Sequence, residues 1–463
     1  MLFKPFKDII KNQGDYDAEY KSKFKELRLC FQNHPLDEDE LGKYYVSFSG
    51  GNLKEFKANL DIMDHPGKFL FTGQKGVGKS TELNQLAKEL KGNYFVLKMS
   101  IAELMDPHDP DYRDILLLMA IKLLVEFINY ESVNQYVRLI NQLLKIAEVK
   151  DDALPKDKVD KKMVLVRTHY LLSKMRIEPV TRKANREKLA NDLFSITCLI
   201  DTASKEIEIA TGKKPFLIVD DLDKIDLDYG ITKDKEVDKS LLIFHENVRN
   251  LILPQCHVMY TMPFSLYHRD EFILFRHEFD DFMILSPVNI YTKEEKEEDG
   301  KKKYIIKENK KQIEIFEKIL INRLKSVTFK KKPLTPKDVF DEEVMVDLII
   351  RTGGLVSNLI KLMHDCCFAL SQKAKKLIDS GTVSSQTEKW QRETSRLLHS
   401  KERSILRKVY DAKTYKVVPD ELLPLFLRET LIIEQCEGEI WYDIHPLLRK
   451  ILGLDEEPDH IYK

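Results

Sequence analysis

Residues 73–80 read Gly-Gln-Lys-Gly-Val-Gly-Lys-Ser, with an apolar run, KFLFT at 68–72, before them and a helical pattern from Lys79 after them. No other stretch constrains the fold as much, because G-x-x-x-x-G-K-[ST] between a strand and a helix is a loop built to hold phosphate. Glycines let successive backbone N–H groups turn inward, and the helix that follows adds positive potential. Lys79 then reaches the outer phosphate oxygens and the Ser80 hydroxyl ligates Mg²⁺. The expected nucleotide contacts are Gly73, Gln74, Lys75, Gly76, Val77, Gly78, Lys79, Ser80 and Thr81, with ATP or ADP as the ligand.

A second motif completes such a site. Residues 216–221, Phe-Leu-Ile-Val-Asp-Asp, form an apolar strand ending in two carboxylates. On a strand neighbouring the first, Asp220 is expected to hold Mg²⁺ with Ser80, and Asp221 to polarise the attacking water. Asp223 reads as structural. Residues 257–261, His-Val-Met-Tyr-Thr, are another strand, and Thr261 at its end is a candidate sensor of the γ-phosphate, or a Thr that merely ends a strand. Arg249, Arg269 and Arg276 are candidate arginine fingers for a neighbouring subunit, or solvated surface arginines.

These motifs set the organisation of the chain. Residues 1–66 are a mostly helical lead-in, with 44–48 as a possible short strand. An α/β core occupies 67–291: a P-loop NTPase parallel sheet interrupted by a large helical insertion, 101–213, where apolar residues recur every three or four positions. A polar break at 151–162 reads as a loop inside that insertion. The sheet resumes at 216–219, followed by a helix (239–252), a strand (257–261), a helix (270–279) and a strand (282–285). Residues 292–389 are a basic segment and a helical lid, and 390–463 are helix, helix, hairpin, helix, which is the order of a winged helix.

Composition narrows the function. The 463 residues carry 75 Lys+Arg and 76 Asp+Glu, a balance that excludes a global polycation and an acidic disordered chain. The balance breaks at 292–332, where 14 basic residues face 8 acidic ones. Interleaved acids favour a solvated helix face or mobile loop there over a phosphate-backbone contact through Lys301–Lys303, Lys310–Lys311 and Lys330–Lys332. Six cysteines lack the spacing of a zinc site or disulfide framework. The greasiest stretch, 115–128, holds Lys122 and Glu126 and reads as a buried helix, not a membrane span. The N-terminal segment lacks a secretory core. A cytoplasmic location and no membrane partner are expected.

Together the two motifs resemble the AAA+/STAND group of P-loop ATPases, which includes NB-ARC switches and origin-recognition initiators. Residues 353–359, GGLVSNL, are similar to the GLPL segment that follows the NB-ARC lid, with Val356 in place of proline. Ser357 or Asn358 stands where AAA+ relatives carry a sensor arginine. Residues 444–449, IHPLLR, resemble the MHD segment, which implies that His445 contacts the ADP β-phosphate; a capping or core histidine is the plainer alternative. The aspartate pair at 220–221 implies slow turnover. The resemblance implies a nucleotide-controlled switch acting through homo-oligomer assembly or a separate effector or sensor protein, possible in prokaryotic defence. Two alternatives stay open: a DNA-binding protein of the origin-recognition or transposition-regulator type, and a nucleotide-locked scaffold. The stretch at 420–428, DELLPLFLR, carries two acids and many apolar residues, which suits protein packing better than a major groove.

Overall fold

The computed structural model describes residues 18–48, 52–106, 109–127, 161–225, 238–298, 301–373, 375–396 and 398–454. They form two compact units, one made of the described residues that fall within 1–50, 73–81 and 285–463, the other of those within 51–72 and 82–284.

The second unit holds the sheet. Five strands, β1 (Lys68–Gly73), β2 (Tyr94–Ser100), β3 (Lys214–Asp220), β4 (His257–Thr261) and β5 (Asp281–Leu285), lie in the order β2-β3-β4-β1-β5. The β2/β3, β3/β4 and β4/β1 ladders are parallel. Every residue of β1 and β4 is buried, as strands covered on both faces must be, and their centres, Phe69–Phe71 and Val258–Tyr260, are unbroken by polar residues for that reason. The strand bearing Asp220 is not the direct neighbour of β1: β4 returns into the space between them, which corrects the adjacency expected from the motifs.

Among the described residues, the insertion is helical. Helices Tyr112–Phe127, Lys161–Ile177, Pro179–Asn191 and Leu193–Thr211 fill it; the polar break at 151–162 lies mostly outside the described residues. Residues Ile115 to Ala120 are all fully buried, so the Tyr112–Phe127 helix is enclosed on every side, and its Lys122 and Glu126 pair at 3.2 Å. No helix of the described residues is long and apolar enough to cross a membrane. The helix expected at 239–252 is broken by a π-turn at Leu242–Glu246, where the Asn247 side chain donates to Leu242 O at 2.8 Å.

In the first unit, Phe24, Leu27 and Phe31 pack with Phe316, Leu320, Leu324, Leu359 and Met363 in a single apolar cluster. The short strand expected at 44–48 does not form. Asp37 and Glu40 make a capping box that starts a helix, Glu38–Tyr44, and residues 45–48 carry no regular structure. The charge-dense segment is neither a helix face nor a loop at its start. It is an antiparallel hairpin of β6 (Tyr291–Glu298) and β7 (Lys301–Glu308), with Lys307 on Glu294 at 2.6 Å, and opposite charges across strands favour that pairing. The helix Lys310–Lys325 follows, burying Ile313, Phe316, Ile319, Leu320 and Leu324 on one side. A second, short hairpin joins β8 (Thr328–Phe329) to β9 (Lys332–Pro333). The helices Val344–Ile350 and Val356–Gln372 flank Gly353 and Gly354. The C-terminal elements are a helix (Ser400–Ala412), a short helix (Leu423–Arg428), the hairpin of β10 (Ile432–Glu437) and β11 (Glu439–Ile444), and a last helix (Leu448–Leu452).

Candidate functional site: a glycine-rich loop and a carboxylate cluster

The loop leaves the C-terminal end of β1. Gly76 and Gly78 have φ of 90° and 102°, a region that a side chain makes costly, so the glycines are required by the curl itself. Lys79, 8 % exposed, folds back and donates from Nζ to Gly73 O at 2.8 Å and Gln74 O at 3.1 Å. The ammonium therefore sits within the curl of the loop. Lys75 is exposed, Val77 is fully buried, and Thr81 Oγ1 accepts the Leu36 N–H at 3.2 Å. Gly76 O accepts the Ser357 N–H at 2.9 Å, and a Cβ on Gly76 would lie 2.6 Å from Ser357 Oγ. Ser357 thus meets the loop directly. Gln74 is fully buried; its amide donates to Ile432 O and its Oε1 accepts the Glu434 N–H at 3.3 Å.

In the other unit, β3 ends on Asp220 and the chain then turns sharply. Asp221 adopts a left-handed conformation, φ 69°, and Asp220 Oδ1 accepts the Asp221 N–H at 2.8 Å. Asp220 Oδ2 pairs with Lys98 at 2.9 Å. The Asp221 carboxylate accepts the Ser100 hydroxyl and pairs with Lys224 at 2.5 Å. Burial works most strongly against the charge of Lys224, but the bond to Asp221 together with the charges of Asp221, Asp223 and Asp220 outweighs it and raises the pKa. Carboxylate oxygens of Asp220, Asp221 and Asp223 lie within 4.8 Å of one another, a hard-oxygen set that fits Mg²⁺. Asp223 belongs to that cluster as much as its neighbours do. Thr261 Oγ1 accepts the Leu222 N–H at 2.9 Å and donates to Val219 O at 3.3 Å, so its hydroxyl fastens the turn after β3 to β4.

His445 is enclosed by protein. Its Nδ1 accepts the Leu447 N–H at 3.2 Å, and Nε2 lies 2.9 Å from the Asn358 amide. Of the three arginines, Arg269 pairs with Asp238 at 2.8 Å and Arg276 donates to Phe279 O at 2.9 Å, while Arg249 is exposed. Lys98, Ser100, Lys224 and the Gln74 side chain were not singled out by motif. The sheet order is the signal for the first two, since β2 ends beside β3.

A parallel sheet in the order β2-β3-β4-β1-β5, with a glycine-rich loop following β1 in sequence and two carboxylates ending β3, decides the fold. It is an α/β fold of the P-loop NTPase type. No protein-family model matches the chain, and no curated protein matches it. Solved structures that match include the RuvB Holliday junction branch migration motor of Thermotoga maritima (13 % identity, 92 % of this chain and 99 % of that one, TM-score 0.36). A Walker-type ATPase of Pyrococcus abyssi matches at 11 % identity over 92 % and 99 %, TM-score 0.44. Cdc6p of Pyrobaculum aerophilum matches at 14 % over 89 % and 97 %, TM-score 0.34. Likeness at this level assigns no activity to this chain.

Proposed function

We propose that the chain is an ATP-binding, slowly hydrolysing switch of the AAA+/STAND kind. The observation that carries it is the loop itself, with left-handed glycines and Lys79 folded inside. Bound ATP would take Lys79 onto its phosphates, Ser80 and Asp220 would hold Mg²⁺, and the metal would neutralise charge on the transferring phosphoryl group. Asp221 would orient the attacking water, which yields ADP and phosphate. Slow turnover is supported by Asp221 itself, whose carboxylate is engaged by Ser100 and Lys224. Switching is supported by the loop's contacts with Ser357 and β10, since whatever alters the loop acts on both elements. The output would be homo-oligomer assembly or signalling to a separate effector, in the cytoplasm, with a defence system as one setting. On this reading the C-terminal elements are a winged helix used for protein packing: Leu423, Pro424, Phe426 and Leu427 of its second helix are buried.

Lys79→Ala is expected to abolish ATP binding in calorimetry while the far-UV circular dichroism stays native. Unchanged ATP affinity would overturn the proposal. A DNA-binding reading is favoured by one feature, the exposed Lys330-Lys331-Lys332 at the tip of the β8–β9 hairpin. It requires salt-sensitive DNA affinity with ATP present, and no binding at low salt eliminates it.

A further inference from the structure

Gln74 lies inside the phosphate loop, yet its side chain works elsewhere. The carboxamide meets the edge of β10 not paired with β11, taking Ile432 O and Glu434 N–H. A carbonyl at one residue and an N–H two residues on are what an added strand would engage, so one side chain satisfies the edge. The main-chain carbonyl of the same residue accepts from Lys79. Gln74 is thus held by the phosphate-seeking lysine through its backbone and by β10 through its side chain.

Two further contacts close the arrangement. Gly76 O receives the N–H of Ser357, in the first turn of the helix Val356–Gln372. The glycine turn before that helix packs on β10: Gly353 has φ 67°, and a Cβ there would lie 2.3 Å from Ile433 Cδ1. Loop, lid turn and hairpin therefore touch pairwise, and no one of them shifts without straining a contact of the other two.

We propose that Gln74 is a positioning residue that latches β10 to the phosphate loop, so that nucleotide in the loop and the Gln74–β10 contact oppose each other. The inference rests on the ATP-binding reading above. Phosphate draws Lys79 Nζ away from Gly73 O and Gln74 O, the peptide at Gln74 is freed to turn, and its side chain loses register with Ile432 and Glu434. By reciprocity, removing the latch tightens nucleotide binding.

The test is hydrogen exchange at the Glu434 amide, with and without Mg²⁺-ATP, together with ATP affinity, in wild type, Gln74→Met and Lys79→Ala. Gln74→Met keeps the length of the side chain and removes its bonds to Ile432 O, Glu434 N–H and Leu427 O; Gln74→Glu, which keeps the acceptor and loses the donor, is the second variant should Met fail to fold. In wild type, ATP is expected to speed Glu434 exchange about tenfold. In Gln74→Met that exchange is fast without ATP and insensitive to it, and ATP binds about fivefold tighter, at the lower end of ordinary coupling. Lys79→Ala, which cannot hold the Gln74 carbonyl, is expected to exchange fast at Glu434 whether or not ATP is added. Wild type that binds ATP with no change at Glu434, or Gln74 variants with wild-type affinity, would overturn the latch while leaving the ATP site standing. Wild type that binds no ATP overturns both.

Discussion

Asp221 is the residue where sequence and geometry say different things about the same atom. The motif makes it the base, and the structure gives its carboxylate two donors, Ser100 and Lys224, on a left-handed backbone. A carboxylate already engaged by a hydroxyl and an ammonium has fewer lone pairs left to orient an attacking water. If hydrolysis is limited there, Lys224→Met should raise single-turnover phosphate release by about 3- to 10-fold, a range set by losing roughly one kcal/mol of ion-pair stabilisation on a partly exposed lysine. Asp221→Asn should lower it by a factor on the order of 100. Equal rates in wild type and Asp221→Asn would mean that no turnover passes through this group, as in a nucleotide-locked scaffold. Lys79, Asp220 and Asp221 were legible because their spacing is local. Lys98 and Ser100 were not, because their meeting with the aspartates depends on β2 lying beside β3, and Gln74 was legible only as backbone.

At the scale of elements, the double glycine before the helix Val356–Gln372 is the sharpest case of conformation dictating sequence. Gly354 has φ 83°, and a Cβ there would stand 2.1 Å from Val288 O, a backbone atom that cannot swing aside. Its own carbonyl accepts the Val288 N–H at 3.0 Å. Gly438, at the β10–β11 turn, has a similar φ of 75° with nothing within 4 Å. The pair separates strain from collision. Gly438→Ala should cost about 1 kcal/mol, the left-handed penalty alone, and Gly354→Ala about 3 kcal/mol, because the clash adds to it. Denaturant midpoints at constant slope would read both, and equal costs would show that the contact at Val288 relaxes freely. Long elements such as the Tyr112–Phe127 helix were legible from an apolar run too long for a strand. The β6–β7 hairpin was not, since its charges carry no alternation of apolar and polar faces, and cross-strand partners are invisible until the register is known. The strand expected at 44–48 rested on the aromatic pair Tyr44-Tyr45, and Tyr44 instead ends the Glu38–Tyr44 helix that the Asp37/Glu40 capping box starts.

For the whole molecule, near-zero net charge hides a set of buried groups whose protonation opposes folding. Burial lowers His257, His268 and His445 from 6.5 to about 4. His257 accepts the Gly67 N–H on Nδ1 at 3.0 Å and stacks on Phe216, so its neutral form is the one the fold uses. A depressed folded pKa gives stability that is complete above the unfolded value and is lost as pH falls through the folded one. The window is therefore pH 6.5 down to about 4, and each histidine contributes at most about 3 kcal/mol across it. Asp114, raised to about 6 by burial despite the opposing pull of Arg186, has the opposite sign. Its contribution is present below the unfolded carboxylate value and is lost as pH rises through 6, so it offsets about one of the three histidines. Unfolding free energy should accordingly fall by about 1–3 kcal/mol per pH unit between pH 6 and 5, with the uptake of one to two protons. His257→Gln, which keeps an acceptor for Gly67 and does not titrate, should flatten that slope by nearly one proton. An unchanged slope in His257→Gln would mean that this imidazole stays neutral in the unfolded chain as well, or is charged in the folded one, and the acid sensitivity would then have to come from the remaining histidines.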